Sequence, residues 1–101
     1  MADGEGPLTD FEQAVATVLA ESAPGDVFTY GEVAAEAGFP GASRAVGSFL
    51  KRHSGYPWWR VVNAAGRLAP GSEAEHQRRL RDEGVAVADG RVRFQAPPRL
   101  S

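Results

Sequence analysis

Three segments of this chain share one spacing, a hydroxyl residue followed three positions later by glutamate: Thr9 and Glu12, Thr29 and Glu32, Ser72 and Glu75. In a capping box the hydroxyl accepts from the backbone N–H three residues on, and the glutamate reaches back to the cap's own N–H, so each pair marks a helix start. Three fixed starts in 101 residues leave room for one small core and no second domain. After the first box Phe11, Val15, Val18 and Leu19 recur at helical spacing, which predicts a helix over about 10–21 ended by Pro24-Gly25. After the second, a short helix carries Val33, Ala34 and Ala37 and stops at Gly38. After the third, a helix with a charged outer face runs to Glu83 and stops at Gly84.

Between the second and third boxes lies a helix without a box. Phe39-Pro40-Gly41 forms a turn, and over about 42–53 the residues Ala42, Val46, Phe49 and Leu50 fall on one side, with Arg44, Gly47, Ser48 and Lys51 on the other. Two short helices joined by a tight turn, the second with a small and basic outer face, have the shape of a helix-turn-helix. Beyond Gly55 the pattern becomes β. Trp59 to Val62, a turn at Asn63-Ala64-Ala65-Gly66 and Arg67-Leu68 predict one hairpin; Val85, Val87, Val92 and Phe94 about Asp89-Gly90 predict another. The expected fold class is α+β, a winged-helix-like domain over 9–95 with tails at 1–8 and 96–101. No apolar run is long enough to span a bilayer and no secretion signal is present, so the expectation is a cytoplasmic monomer with no membrane partner.

Charge is distributed unevenly along the chain. Residues 1–36 hold eight acids and no base, whereas 37–72 hold five bases (Arg44, Lys51, Arg52, Arg60, Arg67) and no acid. A formal net charge of −2 therefore coexists with a basic middle third that suits a phosphate-bearing partner.

The chain contains no cysteine, which excludes disulfides, thiolate metal ligands and a thiol nucleophile. There is no Ser/His/Asp elbow, no histidine pair with metal-ligand spacing and no glycine-rich phosphate loop, so neither catalytic residue, metal nor cofactor is expected. The two histidines, His53 and His76, each fall in a basic stretch and read as solvated helix residues. The remaining unusual segment is Pro57-Trp58-Trp59-Arg60-Val61-Val62, which holds both tryptophans. On an extended chain neighbours point to opposite faces, so one indole can enter the core while the other faces a cavity; two core anchors is the plain alternative.

This segment resembles the Pro-Cys-His-Arg-Val motif of O6-alkylguanine-DNA alkyltransferases, with Trp58 at the place of the alkyl-accepting cysteine and Trp59 at that of the histidine. Phe28 to Ala34 resembles the family's approach to its helix-turn-helix, Ser43-Arg44-Ala45-Val46-Gly47 its recognition helix, and Glu83-Gly84-Val85 its later turn. The chain is thereby identified as similar to the cysteine-less alkyltransferase-like proteins. The resemblance implies recognition of O6-alkylguanine in duplex DNA without alkyl transfer, and delivery of the lesion to nucleotide excision repair proteins.

By that resemblance Arg44 enters the base stack behind a flipped nucleotide and Tyr30 crowds its phosphate, while Ser43, Ala45, Gly47 and Ser48 present a bare face to the minor groove. Lys51 and Arg52 are then phosphate contacts. Tyr30, Pro57, Trp58, Trp59, Arg60 and Val61 border the lesion pocket, with Arg60 and Val62 holding its loop. Ordinary solvated roles for the arginines and lysine, and a core role for Tyr30, are the alternatives. Two departures stand out: the stretch between Arg44 and Trp58 is short, and Pro70-Gly71 replaces a basic pocket residue of some relatives, leaving Arg67 or Arg78 as its substitute. The competing functions are a winged-helix transcriptional regulator reading sequence through helix 42–53, and an enzyme using another acceptor or releasing a base.

Overall fold

A computed structural model describes residues 8–93. The helices are α1 (Asp10–Ala20), α2 (Tyr30–Glu36), α3 (Ser43–Arg52) and α4 (Glu73–Asp82); a 3₁₀ turn covers Trp58–Arg60. Four two-residue strands complete the fold: β1 (Phe28–Thr29), β2 (Val61–Val62), β3 (Val87–Ala88) and β4 (Arg91–Val92). This is the expected α+β, winged-helix-like architecture. Residues 1–7 and 94–101, which include most of both expected tails and Phe94, lie outside the described residues, while Leu8 packs against the core.

Two of the three capping boxes form. Thr9 Oγ1 accepts from the Glu12 N–H at 3.0 Å and Glu12 returns the bond at 3.1 Å. Thr29 and Glu32 repeat this at 3.0 and 2.8 Å. Each cap is worth about 1 kcal/mol. The third does not form. Ser72 has ψ 21°, outside the extended conformation that aims a cap hydroxyl at the N3 amide, and Glu75 pairs with Arg79 instead. Glu73 fills the gap by accepting from the Gly71 N–H at 3.0 Å.

Helices α1 to α3 close a first core around Val15, Leu19, Val33, Ala34, Val46 and Phe49. The α2–α3 turn is tight because Gly38 and Gly41 adopt φ of +93° and +90°, which a side chain resists. A second core, where chain length leads to the expectation of one, joins Val62, Leu68, Leu80, Val87 and Val92. Strand β2 links them: successive strand residues face opposite ways, so Val61 plugs the first core and Val62 the second.

The strand pairing departs from the first expected hairpin. β2 runs parallel to β1, with Phe28 opposite Val61 and Thr29 opposite Val62, while Arg67 bridges antiparallel to Arg91. The Asn63–Gly66 turn survives, closed by a Gly66 N–H to Asn63 carbonyl bond of 2.8 Å. It redirects the chain onto the second hairpin rather than back along β2. That hairpin forms as expected, pairing Val87 with Val92 and Ala88 with Arg91 across Asp89-Gly90, where both turn residues have positive φ.

Candidate nucleic-acid interface

The outer face of α3 presents Ser43, Arg44, Ala45, Ser48, Lys51 and Arg52 to solvent. Arg44 and Lys51 have no ion-pair partner among the described residues, whereas Arg52 is held by Glu12 at 2.7 Å. Gly47 faces Tyr30 at the start of α2, and burial pushes the Tyr30 phenol above its ordinary pKa. A Cβ added at Gly47 would stand 3.9 Å from the Tyr30 ring, an ordinary contact. The protein's own packing therefore does not require glycine there, although glycine inside a helix costs about 1 kcal/mol relative to alanine. A bare α3 surface is what remains to explain it.

At its C-terminal end this face runs into an open cleft of about 730 Å³. One wall is Pro57, Trp58, Trp59 and Arg60; the remainder includes Leu19, Leu50, Tyr56 and the cationic Lys51, Arg52 and Arg79. Among the described residues no carboxylate lines it. Lys51 belongs to both the helix face and the cleft.

The tryptophans sit in the 3₁₀ turn, not in an extended strand, so neither is sent wholly inward and both are half-buried. Their rings meet edge to face at 6.1 Å, and Trp58 also packs edge-on to His76 at 5.0 Å. Trp59 is pinned by its indole N–H, which donates to Glu83 Oε2 at 2.8 Å. Glu83 also takes Arg60 in a two-pronged pair, Nε to Oε1 at 3.0 Å and Nη2 to Oε2 at 2.9 Å, and accepts from the Gly25 N–H. The Arg60 guanidinium chiefly holds this carboxyl down at about 2. Arg60 itself is buried and donates a further bond to Ser22.

His76 corrects the solvated reading of its helix: it is fully buried. Its Nδ1 accepts from the Ala69 N–H at 3.0 Å, which leaves Nε2 to donate to the Trp59 carbonyl at 2.8 Å. The ring is therefore neutral, and burial lowers its pKa from the ordinary value of 6.5. Below that value the unfolded chain takes up a proton that the folded chain refuses, so stability is present above pH 6.5 and is lost as pH falls toward the depressed folded value. Urea denaturation between pH 7.5 and 5 is expected to show this loss, and His76→Gln to flatten the slope.

The cleft thus brings together Lys51, Pro57, Trp58, Trp59 and Arg60 of the expected site residues. It does not include Tyr30, Ser43, Arg44, Gly47 or Ser48, which lie along α2 and α3, nor Val61, whose side chain is in the first core. Pairing of Arg52 with Glu12 and Arg60 with Glu83 leaves Arg44, Lys51 and Arg67 as the unpaired bases of the middle third among the described residues. Neither Arg67 nor Arg78 reaches the cleft: Arg67 bridges to Arg91 of the second hairpin, and Arg78 pairs with Asp82 at the surface. From α4 the cation that does is Arg79, with its guanidinium 4.6 Å from the centre of the Trp59 ring and its Nε on Glu75 at 2.8 Å. Sequence reasoning passed over Arg79, which differs from Arg78 only by 100° of helix rotation. Among the described residues no group of acids and histidines could hold a metal ion, and no helix is long and apolar enough to cross a membrane.

Residues 10–85 match the family model of the 6-O-methylguanine DNA methyltransferase DNA-binding domain. The DNA base-flipping protein of Escherichia coli K12 is 43% identical over 91 residues, covering 84% of this chain and 70% of that protein. Alkyltransferase-like protein 1 of Schizosaccharomyces pombe is 32% identical over 79% of this chain and 81% of its own length. The crystal structure of S. pombe Atl1 with damaged DNA containing O6-carboxymethylguanine superposes with a TM-score of 0.76 at 30% identity, over 90% of this chain and 94% of that one. Mycobacterium tuberculosis OGT in complex with DNA gives a TM-score of 0.66 at 34% identity, over 76% of this chain and 51% of that one.

Proposed function

The chain belongs to the family of the 6-O-methylguanine DNA methyltransferase DNA-binding domain, and we propose that within it this protein is a non-enzymatic sensor of O6-alkylguanine in duplex DNA. The observation that carries the reading is a cleft walled by two indoles and lined by cations, with Trp58 at the place of the family's acceptor cysteine. Indole carbon and nitrogen are no match for a thiolate as nucleophile, so the wall can stack on a modified base but cannot take its alkyl group. The relatives support the DNA partner: one is a base-flipping protein, and another was crystallised on O6-carboxymethylguanine DNA.

The parts divide the work. The bare stripe of Ala45, Gly47 and Ser48 lets α3 approach a minor groove closely. Arg44, exposed and unpaired among the described residues, fills the stack behind the extruded nucleotide and offsets part of the few kcal/mol that flipping costs. Tyr30 crowds the target phosphate, and Lys51 at the cleft mouth meets the backbone. The base enters beside Trp58, with Arg79 as the cation facing its polar edge. The bound protein acts as a monomer and hands the site to nucleotide excision repair proteins. The small residues Ala45, Gly47 and Ser48 along α3 supply few of the long bidentate side chains that major-groove base reading uses, which disfavours the regulator alternative.

Titration of otherwise identical duplexes with and without one O6-methylguanine, at the same salt, is expected to show tighter binding to the modified duplex and no alkyl adduct on the protein by mass. Arg44→Ala should weaken modified-duplex binding by about tenfold or more, in keeping with a few kcal/mol of flipping cost. Equal affinity for the two duplexes would sink the sensor reading.

A further inference from the structure

A second cationic surface stands outside the cleft. Leu68 and Val92 donate their N–H groups to the Gly90 and Gly66 carbonyls at 3.2 and 2.8 Å, bracketing the Arg67–Arg91 bridge. That pattern makes Arg67 and Arg91 a non-hydrogen-bonded antiparallel pair, the arrangement that brings facing side chains closest, with Cα atoms about 4.5 Å apart. Their alternating neighbours Leu68 and Val92 are buried in the second core, so both arginines stand on the opposite, outer face. Arg93 continues the ladder through its N–H to the Ala86 carbonyl at 2.9 Å and, two residues from Arg91, shares that face.

All three arginines are exposed, and none has an ion-pair partner among the described residues. Like charges placed directly opposite one another destabilise a β pair. Among the described residues no ion pair relieves this one: the single carboxylate lining the shallow cleft they share is Asp89, in the hairpin turn. The other neighbours, Ala65 and Ala88, are too small to cover the guanidinium groups.

We propose that this outer face of the hairpin is a second nucleic-acid contact, in which Arg67, Arg91 and Arg93 hold backbone phosphates of the duplex away from the lesion. Guanidinium forks match phosphate oxygens in pairs, and a bound phosphate turns the Arg67–Arg91 repulsion into attraction. With its guanidinium groups on backbone phosphates rather than on base edges, the face contributes independently of sequence and of damage. The inference rests on the sensor reading only for the identity of the polyanion as DNA.

The test is a salt series of dissociation constants on long duplexes, modified and unmodified, for the wild type and for a variant combining Arg67→Gln, Arg91→Gln and Arg93→Gln. Each lost phosphate contact should reduce the slope of log affinity against log salt by about 0.9, so by up to about 3 for the triple variant. Affinity should fall by the same factor on both duplexes, leaving the lesion preference unchanged, and the melting temperature should hold or rise. The corresponding triple lysine variant should keep most of the slope, which separates loss of charge from loss of fold. An unchanged slope, or arginine-dependent binding to anionic phosphatidylserine vesicles with an unchanged slope on DNA, overturns the proposal. Should the wild type fail to prefer the modified duplex, the sensor reading falls, while the slope on unmodified DNA still decides this face.

Discussion

Glu83→Ala is expected to lower the unfolding free energy by about 3 kcal/mol, at the low end of the cost of orphaning one member of a buried ion pair. The substitution strips the buried Arg60 of both carboxylate bonds and leaves the Trp59 indole N–H and the Gly25 N–H without their acceptor. In a domain of this size that corresponds to a fall of about 12 °C or more in melting temperature. Tryptophan emission should shift with it, because the bond that fixes Trp59 is lost. The wild type should mimic part of this loss in acid. With the folded carboxyl at about 2 and the ordinary value at 4.5, the unfolded chain protonates first, so the pair's contribution is complete above pH 4.5 and is lost as pH falls toward 2. Glu83→Gln should lack that acid dependence. Chemical denaturation of the three proteins between pH 6 and 2.5 measures both effects, and a wild type as pH-sensitive as the glutamine variant would show that Glu83 is not the hub.

Trp58→Ala should produce the largest functional loss. Stacking of a base on an aromatic side chain is worth about 1–3 kcal/mol, so affinity for a duplex carrying O6-methylguanine should drop by about 5- to 150-fold. Binding to the unmodified duplex, which sends no base into the cleft, should change little. Trp58→Phe keeps a π face and should recover much of the difference. Measured well below the melting temperature, this contrast separates a stacking wall from a packing role: if both duplexes lost affinity equally in the alanine variant, Trp58 would be only a prop for Trp59 and His76.

The helix-turn-helix was legible in the sequence because its determinants are local. Two capping boxes and the Gly38 and Gly41 turn lie within a few residues of what they specify, and the Asp89-Gly90 hairpin is written in residues that tolerate positive φ. The parallel pairing of β1 with β2 was not, because two-residue strands have no periodicity and their partners are 33 positions apart, Phe28 with Val61. Ser72 illustrates a local signal overridden by its surroundings: the spacing is right, but the turn through Gly71 delivers the serine in the wrong conformation. The site was half legible. The indole pair stood out by composition, whereas the burial of His76 among charged helix neighbours depends on a carbonyl 17 residues away, at Trp59. Arg79 lies beside Arg78 in sequence, and only its stacking on Trp59 distinguishes it.

The two valines of β2 carry a last consequence. They are the hinge pin between two hydrophobic cores, and the cleft wall is the turn immediately before them. The position of the wall therefore depends on the packing of both cores. Occupancy of the cleft in turn acts as a clasp on the whole domain, raising the cost of opening each half. If the protein works by binding alone, as proposed, residence on a damaged base and the cooperativity of its own folding are coupled and are tuned together.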